Sequence, residues 1–330
     1  MSSPQPTMRL TVAQAIIKYL AVQYSEFDSA RQRLIPAMYG IFGHGNVSGI
    51  GQALDEFGEH LPYLQGRNEQ AMVHTAIGFA KAKRRRSTLA VTASIGPGST
   101  NMLTGAATAT INRIPVLLLP SDTYATRRQG PVLQQLEHPS QGDVSVNDCF
   151  RPVSRYFDRI LRPEHLLTAL PEAMRVLTSP VEAGTVTIAL PQDVQSHAFD
   201  FPSQFFEPRT WRIPRPQPEP DMISAALDLL RAAERPLIIA GGGVHYSEAA
   251  EALSQFAYEF GIPVAETFAG KGAMQKSGHL TLGGIGLEGS GTANEVASAS
   301  DLVICVGTRL TDFTTASRSL FQNPEVRFVS

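Results

Sequence analysis

Arg67-Asn68-Glu69-Gln70-Ala71-Met72-Val73-His74 opens one helix-forming run, and Gly96-Pro97-Gly98-Ser99-Thr100-Asn101 joins an apolar stretch to another. In the first run Asn68 can cap the helix, which puts the Glu69 carboxylate in the first turn. Ala71, Ala76, Gly78 and Ala80 are small, so this helix can approach a neighbour closely. In the second, residues Thr88 to Ala93 read as a buried strand that breaks at a glycine turn and re-enters helix at Ser99. Strand, turn and helix in that order are the unit from which parallel sheets are built.

The same alternation extends outward. The spacing predicts helices over Val12 to Val22 (N-cap Thr11), Asn68 to Ala82, Ser99 to Thr110 and Pro163 to Leu177. It predicts strands over Ala37 to Phe42, Thr88 to Ala93, Pro115 to Leu119 and Thr185 to Leu190. The first strand ends in Gly43-His44-Gly45-Asn46. Residues 201–220 hold six prolines and read as an extended linker. Beyond it a second α/β unit is expected, with a strand from Pro236 to Ala240, the turn Gly241-Gly242-Gly243, and a last strand just beginning at Val326. The expected division is a first domain over 1–200, a linker over 201–220 and a second domain over 221–330 that stops before it is complete.

Composition narrows the function. The chain has 330 residues, a net charge of −2, 43% hydrophobic and 18% charged residues. That balance gives no reason to expect nucleic acid or an anionic membrane as partner. The basic run Lys81 to Arg86 reads as favourable charge at a helix C-terminus. Cys149 and Cys305 lie too far apart to suggest a disulfide or a metal site, and Cys149 reads as a small buried hydrophobe. No apolar run approaches the ~18 residues of a membrane span, and no signal pattern opens the chain, so a cytoplasmic home is expected.

Taken singly, the polar residues allow plain readings. Glu69 complements a helix dipole. Gly96-Pro97-Gly98 is a tight connection, or a phosphate site at a helix start. His44 and Asn46 are loop polar groups, and Gly241 to Gly243 lacks the G-x-G-x-x-G spacing of a dinucleotide site, so a β–α turn is the better reading.

In order and spacing, however, these motifs resemble the N-terminal, pyrimidine-binding domain of thiamine diphosphate enzymes of the acetolactate synthase type. The resemblance implies two consecutive parallel-sheet, three-layer domains: a pyrimidine-binding domain and an incomplete central Rossmann-like domain. It makes Glu69 the acid that bonds N1′ of the aminopyrimidine and so promotes loss of the thiazolium C2 proton. It places Gly43, Gly45, Asn46, Gly96, Pro97, Gly98 and Asn101 around the cofactor. Leu133-Gln134-Gln135 matches a Phe-Gln-Glu segment whose Gln reaches the active centre from the facing subunit; Gln135 stands where the family has Glu. His44 departs from the family's Pro-Gly-Gly turn and joins Glu69 and Gln134 as a catalytic candidate. No metal ligand is expected here: Mg²⁺ and the diphosphate belong to a Gly-Asp-Gly half that these residues do not contain, so this stretch is expected to be inactive alone.

Three further features separate the chain from acetolactate synthase: an insertion over Gln23 to Pro36, the loop Phe42 to Gly51, and the segment Glu137 to Asp143. They look like a branch of the family that hydrolyses a carbon–carbon bond of a cyclic 1,2-dione in myo-inositol catabolism. A small cyclic dione as substrate and a homodimer or homotetramer are the implied partners. The alternatives are a 2-keto-acid lyase or ligase, and a non-catalytic cofactor-half or dimerisation module.

Overall fold

The computed structural model describes residues 6–128, 130, 132–275 and 278–330, and divides the chain into two compact units, Met1–Arg215 and Pro216–Ser330. Unit one runs β1 (Thr7–Thr11), α1 (Val12–Ala21), β2 (Gln23–Phe27), β3 (Ala30–Arg33), β4 (Met38–Gly40), α2 (Gln52–Phe57), β5 (Tyr63–Gln65), α3 (Glu69–Ala82) and β6 (Ala90–Ala93). It continues with α4 (Pro97–Thr100), α5 (Leu103–Ile111), β7 (Val116–Asp122), β8 (Tyr156–Arg159), α6 (Leu166–Thr178), β9 (Thr185–Pro191), β10 (Ala198–Pro202) and β11 (Arg209–Arg212).

Its main sheet is ordered β5-β4-β6-β7-β9-β8, with every neighbouring pair parallel. β7 and β9 are buried along their whole length, as continuous apolar runs covered on both faces should be. Ile16, Ile17 and Leu20 of α1 and Leu170 and Met174 of α6 pack with Leu117, Leu119 and Ile188 of the sheet in one core. Each such side chain contributes about 1.5–3 kcal/mol by leaving water.

Local chemistry sets the helix starts. Thr11 and Gln14 form a reciprocal capping box on α1. Asn68 Oδ1 accepts from the Ala71 N–H at 2.9 Å and so fixes where α3 begins and where Glu69 stands. The single helix expected from Ser99 is in fact two pieces. The Met102 N–H closes back on the Ser99 carbonyl three residues earlier, a tighter turn that interrupts the α-helical ladder beside Asn101.

The insertion between α1 and β4 is a β-hairpin. β2 and β3 pair antiparallel through Asp28-Ser29, both left-handed with φ of 48° and 67°, the arrangement that suits a two-residue turn. β11 then lies parallel to β2, from Arg209 opposite Gln23 to Arg212 opposite Glu26, while β10 pairs with β1. Residues 201–202 and 209–212 of the proline-rich stretch are thus strand within unit one, and the division falls after Arg215.

Unit two contains α7 (Pro220–Ala232), β12 (Pro236–Ala240), α8 (Gly242–Tyr246), α9 (Ala250–Phe260), β13 (Val264–Glu266), β14 (Thr281–Gly284), α10 (Gly291–Ala299), β15 (Leu302–Val306) and β16 (Arg327–Val329). Its sheet is parallel throughout, in the order β14-β13-β12-β15-β16. Separate apolar clusters pack around Ile238 and Val264 and around Leu237 and Val303.

Candidate active site

Three loops leave the C-terminal ends of β4, β6 and β7, the side on which open parallel sheets bind ligands. Their shapes depend on glycine at two points. Gly96 has φ +65°, and a Cβ there would collide with the Gln134 carbonyl. Gly45 has φ +101°, and a Cβ there would stand 2.9 Å from Ser121 Cβ. The loops therefore approach one another at distances that a side chain would forbid.

Glu69, Gly98 and Asn101 meet at the start of α3. Asn101 Nδ2 donates to Glu69 Oε2 at 3.1 Å. Oε1 lies 3.4 Å from where a Cβ on Gly98 would stand, a position that the Ser94 hydroxyl also approaches. Glu69 itself is half-buried and Pro97 is exposed.

Gln134, His44 and Gly43 form a second group, within this one chain. The His44 backbone N–H donates to Gln134 Oε1 at 3.2 Å, and the His44 carbonyl accepts from the Ile95 N–H at 3.0 Å. With both sides of its backbone held, His44 presents a ring whose Nε2 is buried and has no hydrogen-bond partner among the described residues. A buried polar atom without a partner costs about 1–3 kcal/mol, so a water or a ligand atom is needed there.

Asn46 sits differently. Its Oδ1 accepts from the Gly43 N–H at 2.9 Å, and its Nδ2 reaches the Ile41 carbonyl at 3.1 Å and Thr92 Oγ1 at 3.3 Å. The amide is buried and occupied inside its own loop. It shapes Gly43 and His44 and offers nothing outward.

Several contributors carry no local signal in the sequence. Buried Gln195 donates from Nε2 to the Gly45 carbonyl at 2.7 Å and accepts at Oε1 from the Ile50 N–H at 3.2 Å. Asp122, fully buried at the end of β7, meets Arg159 Nε at 2.6 Å, and Arg159 also reaches Asp148 at 3.1 Å. Burial works to raise the Asp148 carboxyl, but bonds from Arg151 and the Ser145 N–H, with the charge of Arg159, hold it below its ordinary value. Both cysteines are free; Cys149 is half-buried, less than its reading as a core hydrophobe implied, and burial followed by the Asp148 charge pushes its thiol up.

In unit two the Gly243 N–H donates to the Gly307 carbonyl at 2.9 Å and the Gly241 N–H to the Val306 carbonyl at 2.9 Å. The turn after β12 is thus closed on its neighbour, as a β–α connection rather than an open phosphate cradle.

The donor set of unit one fits the aminopyrimidine end of thiamine diphosphate. Glu69 has one oxygen steadied by an amide and the other beside Gly98, so it can share a proton with a ring nitrogen. Among the described residues no group of three or more His, Cys, Asp or Glu could hold a metal ion, and no helix is long and apolar enough to cross a membrane.

Residues 34–144 match the thiamine pyrophosphate enzyme N-terminal TPP binding domain, and residues 223–330 match the thiamine pyrophosphate enzyme central domain. The chain is 55% identical over 320 residues to the 3D-(3,5/4)-trihydroxycyclohexane-1,2-dione hydrolase of Geobacillus thermodenitrificans (strain NG80-2), covering 97% of this chain and 50% of that protein. It is 54% identical over 324 residues to the 3D-(3,5/4)-trihydroxycyclohexane-1,2-dione hydrolase of Bacillus thuringiensis (strain Al Hakam), covering 98% of this chain and 50% of that protein. The chain spans about half the length of the curated relatives it matches. With both domains in family order on two parallel sheets, the chain belongs to the thiamine pyrophosphate enzyme family.

Proposed function

We propose that this chain is the pyrimidine-binding and central part of an enzyme that hydrolyses the bond between adjacent carbonyls of trihydroxycyclohexane-1,2-dione. The ring would open to 5-deoxy-glucuronate: the hydroxyl of water goes to one carbonyl carbon, which becomes the carboxyl, and hydrogen goes to the other, a ketone carbon that becomes the aldehyde. The observation that carries the reading is the Glu69 carboxylate, held by Asn101 beside Gly98. The shared length with the two hydrolases supports the choice of substrate.

Thiamine diphosphate, when bound, supplies a nucleophilic carbon and an electron sink. The chain's own residues do the rest on this side of the site. Glu69 shares a proton with the pyrimidine nitrogen. Gly43, Gly96 and Gly98 let their loops pack on Ser94 and Gln134 beside the ring, and Pro97 and Gly45 fix the turns that present them. Gln134, with Oε1 engaged by His44, has its Nε2 to offer as a donor. His44 Nε2 takes a hydroxyl or carbonyl of the polyhydroxylated dione. Asn101 and Asn46 act through Glu69 and through the Gly43 loop. Mg²⁺ and the diphosphate would be held by residues outside this chain.

The proposed assembly is a homodimer or homotetramer. α3 turns Ala71, His74, Thr75 and Gly78 outward, and Ile111 at the end of α5 is 65% exposed, a surface that suits close helix contact.

The test is product analysis with the complete enzyme, thiamine diphosphate and Mg²⁺. Conversion of the dione to 5-deoxy-glucuronate, seen by NMR, is expected. Condensation of pyruvate to acetolactate with no action on the dione would favour the 2-keto-acid reading and sink this one.

A further inference from the structure

The stretch between β7 and the 3-10 turn Val146–Val153 carries Gln134, and both of its ends meet one carboxylate. Asp122 Oδ1 accepts from the Thr123 N–H at 2.8 Å, where the stretch begins. The same oxygen accepts a short hydrogen bond from Ser145 Oγ, where it ends. Asp122 Oδ2 is taken by Arg159 Nε at 2.6 Å. Arg159, itself only 15% exposed, continues to Asp148, which receives the Ser145 N–H at 2.9 Å.

Further struts repeat the pattern inside the loop. Gln135 Nε2 donates to Thr123 Oγ1 at 2.9 Å, and Glu137 Oε1 accepts from the Val146 N–H at 3.3 Å. Gln135, which stands where the family has Glu, thus bridges the loop instead of facing the site. At the other end Gln134 has φ +65°, rests its carbonyl against Gly96 and takes the His44 N–H on Oε1. A loop this long needs closure at its base if one side chain on it is to hold a fixed direction.

We propose that Asp122 and Arg159 are positioning residues: they staple the base of the 123–145 loop and thereby hold Gln134 against the His44 and Gly96 loops. Neither touches the reacting atoms. The functional part of this inference rests on the reading of Gln134 as an active-centre residue; the staple itself does not.

The experiment uses the complete enzyme in two arms, with Ser145→Ala, Asp122→Asn and Gln134→Ala. In the first arm trypsin is applied without cofactor or substrate. Arg127 and Arg128 are exposed on the loop, and cleavage after them is expected to be several-fold faster in Ser145→Ala and Asp122→Asn than in wild type. Ser145→Ala removes one strand of the staple without leaving a buried charge, so it remains informative if Asp122→Asn does not fold. In the second arm kcat/KM on the dione is measured for single and double variants. Misplacing Gln134 is expected to cost up to ~10²-fold. In the Gln134→Ala background, either staple variant should then add no more than about twofold, because the effect is routed through that side chain. Unchanged trypsin cleavage in both staple variants overturns the staple, and full additivity with Gln134→Ala overturns its role in positioning. An enzyme that ignores the dione refutes the proposed function, and the trypsin arm still decides the staple.

Discussion

Asn46 and His44 stand two positions apart in one loop and have opposite fates. The Asn46 amide directs its hydrogen bonds inward, onto Gly43, Ile41 and Thr92. Replacing Asn46 with Leu strands the Gly43 N–H and should cost about 1–3 kcal/mol, read as a fall in unfolding free energy with an accompanying loss of cofactor affinity. His44 has a buried Nε2 with no hydrogen-bond partner among the described residues. His44→Ala should therefore raise KM for the dione while leaving proton exchange at the cofactor C2 unchanged; equal loss of both would place His44 on the cofactor instead. Asp148 adds a pH effect. Its folded carboxyl is held below the unfolded value of 3.8, so its contribution is full above that value and fades as pH falls through the lower, folded one. The difference in thermal midpoint between wild type and Asp148→Asn should be large at neutral pH and shrink in strong acid. A difference that grows with acidification contradicts the assignment. At this scale the place of Glu69 in the first turn of α3 was legible in the sequence because its cap, turn and small neighbours are all local. Gln195 and Arg159 were not: their partners at Gly45 and Asp122 lie far away along the chain, and no short pattern announces such a contact.

Among the elements, periodicity and punctuation marked the parallel strands β4, β6, β7, β9 and β12, whose apolar runs end at glycine or polar turns. The hairpin β2–β3 and the strand β11 were hidden for a physical reason. Each is short and polar, and each is a strand only because the others lie beside it. Proline at 208 and 214 flanks β11, which sits at the edge of a three-stranded sheet, where proline is tolerated. Arg215 ties the end of this arrangement to Asp28, with Nε at 2.9 and 3.0 Å from the two carboxylate oxygens, and the Ile213 N–H bonds to the Glu26 carbonyl at 2.8 Å. Asp28→Ala should loosen the last residues of unit one. Amide hydrogen exchange across residues 209–213 is expected to accelerate, with the main sheet unaffected. Unchanged exchange would mean that strand pairing alone holds β11.

For the molecule as a whole, the two parallel sheets, and with them the loops at strand C-termini that carry the proposed site, follow from alternation of strands and helices, and the family follows from two matched domains. Stoichiometry is a separate matter. The outward small residues of α3 favour self-association, and sedimentation at tens of micromolar should give a dimer or larger; a strict monomer would count against helix contact there. The central claim concerns Glu69 and the cofactor in the complete enzyme. Glu69→Gln keeps the shape and the hydrogen bond to Asn101 but cannot share a proton as an acid does. Hydrogen–deuterium exchange at the thiazolium C2 of bound thiamine diphosphate reads that step alone. The account predicts a fall of ~10²–10⁴-fold relative to wild type, the usual size of a general acid–base contribution. Exchange at the wild-type rate would return Glu69 to a helix-capping charge and contradict the account.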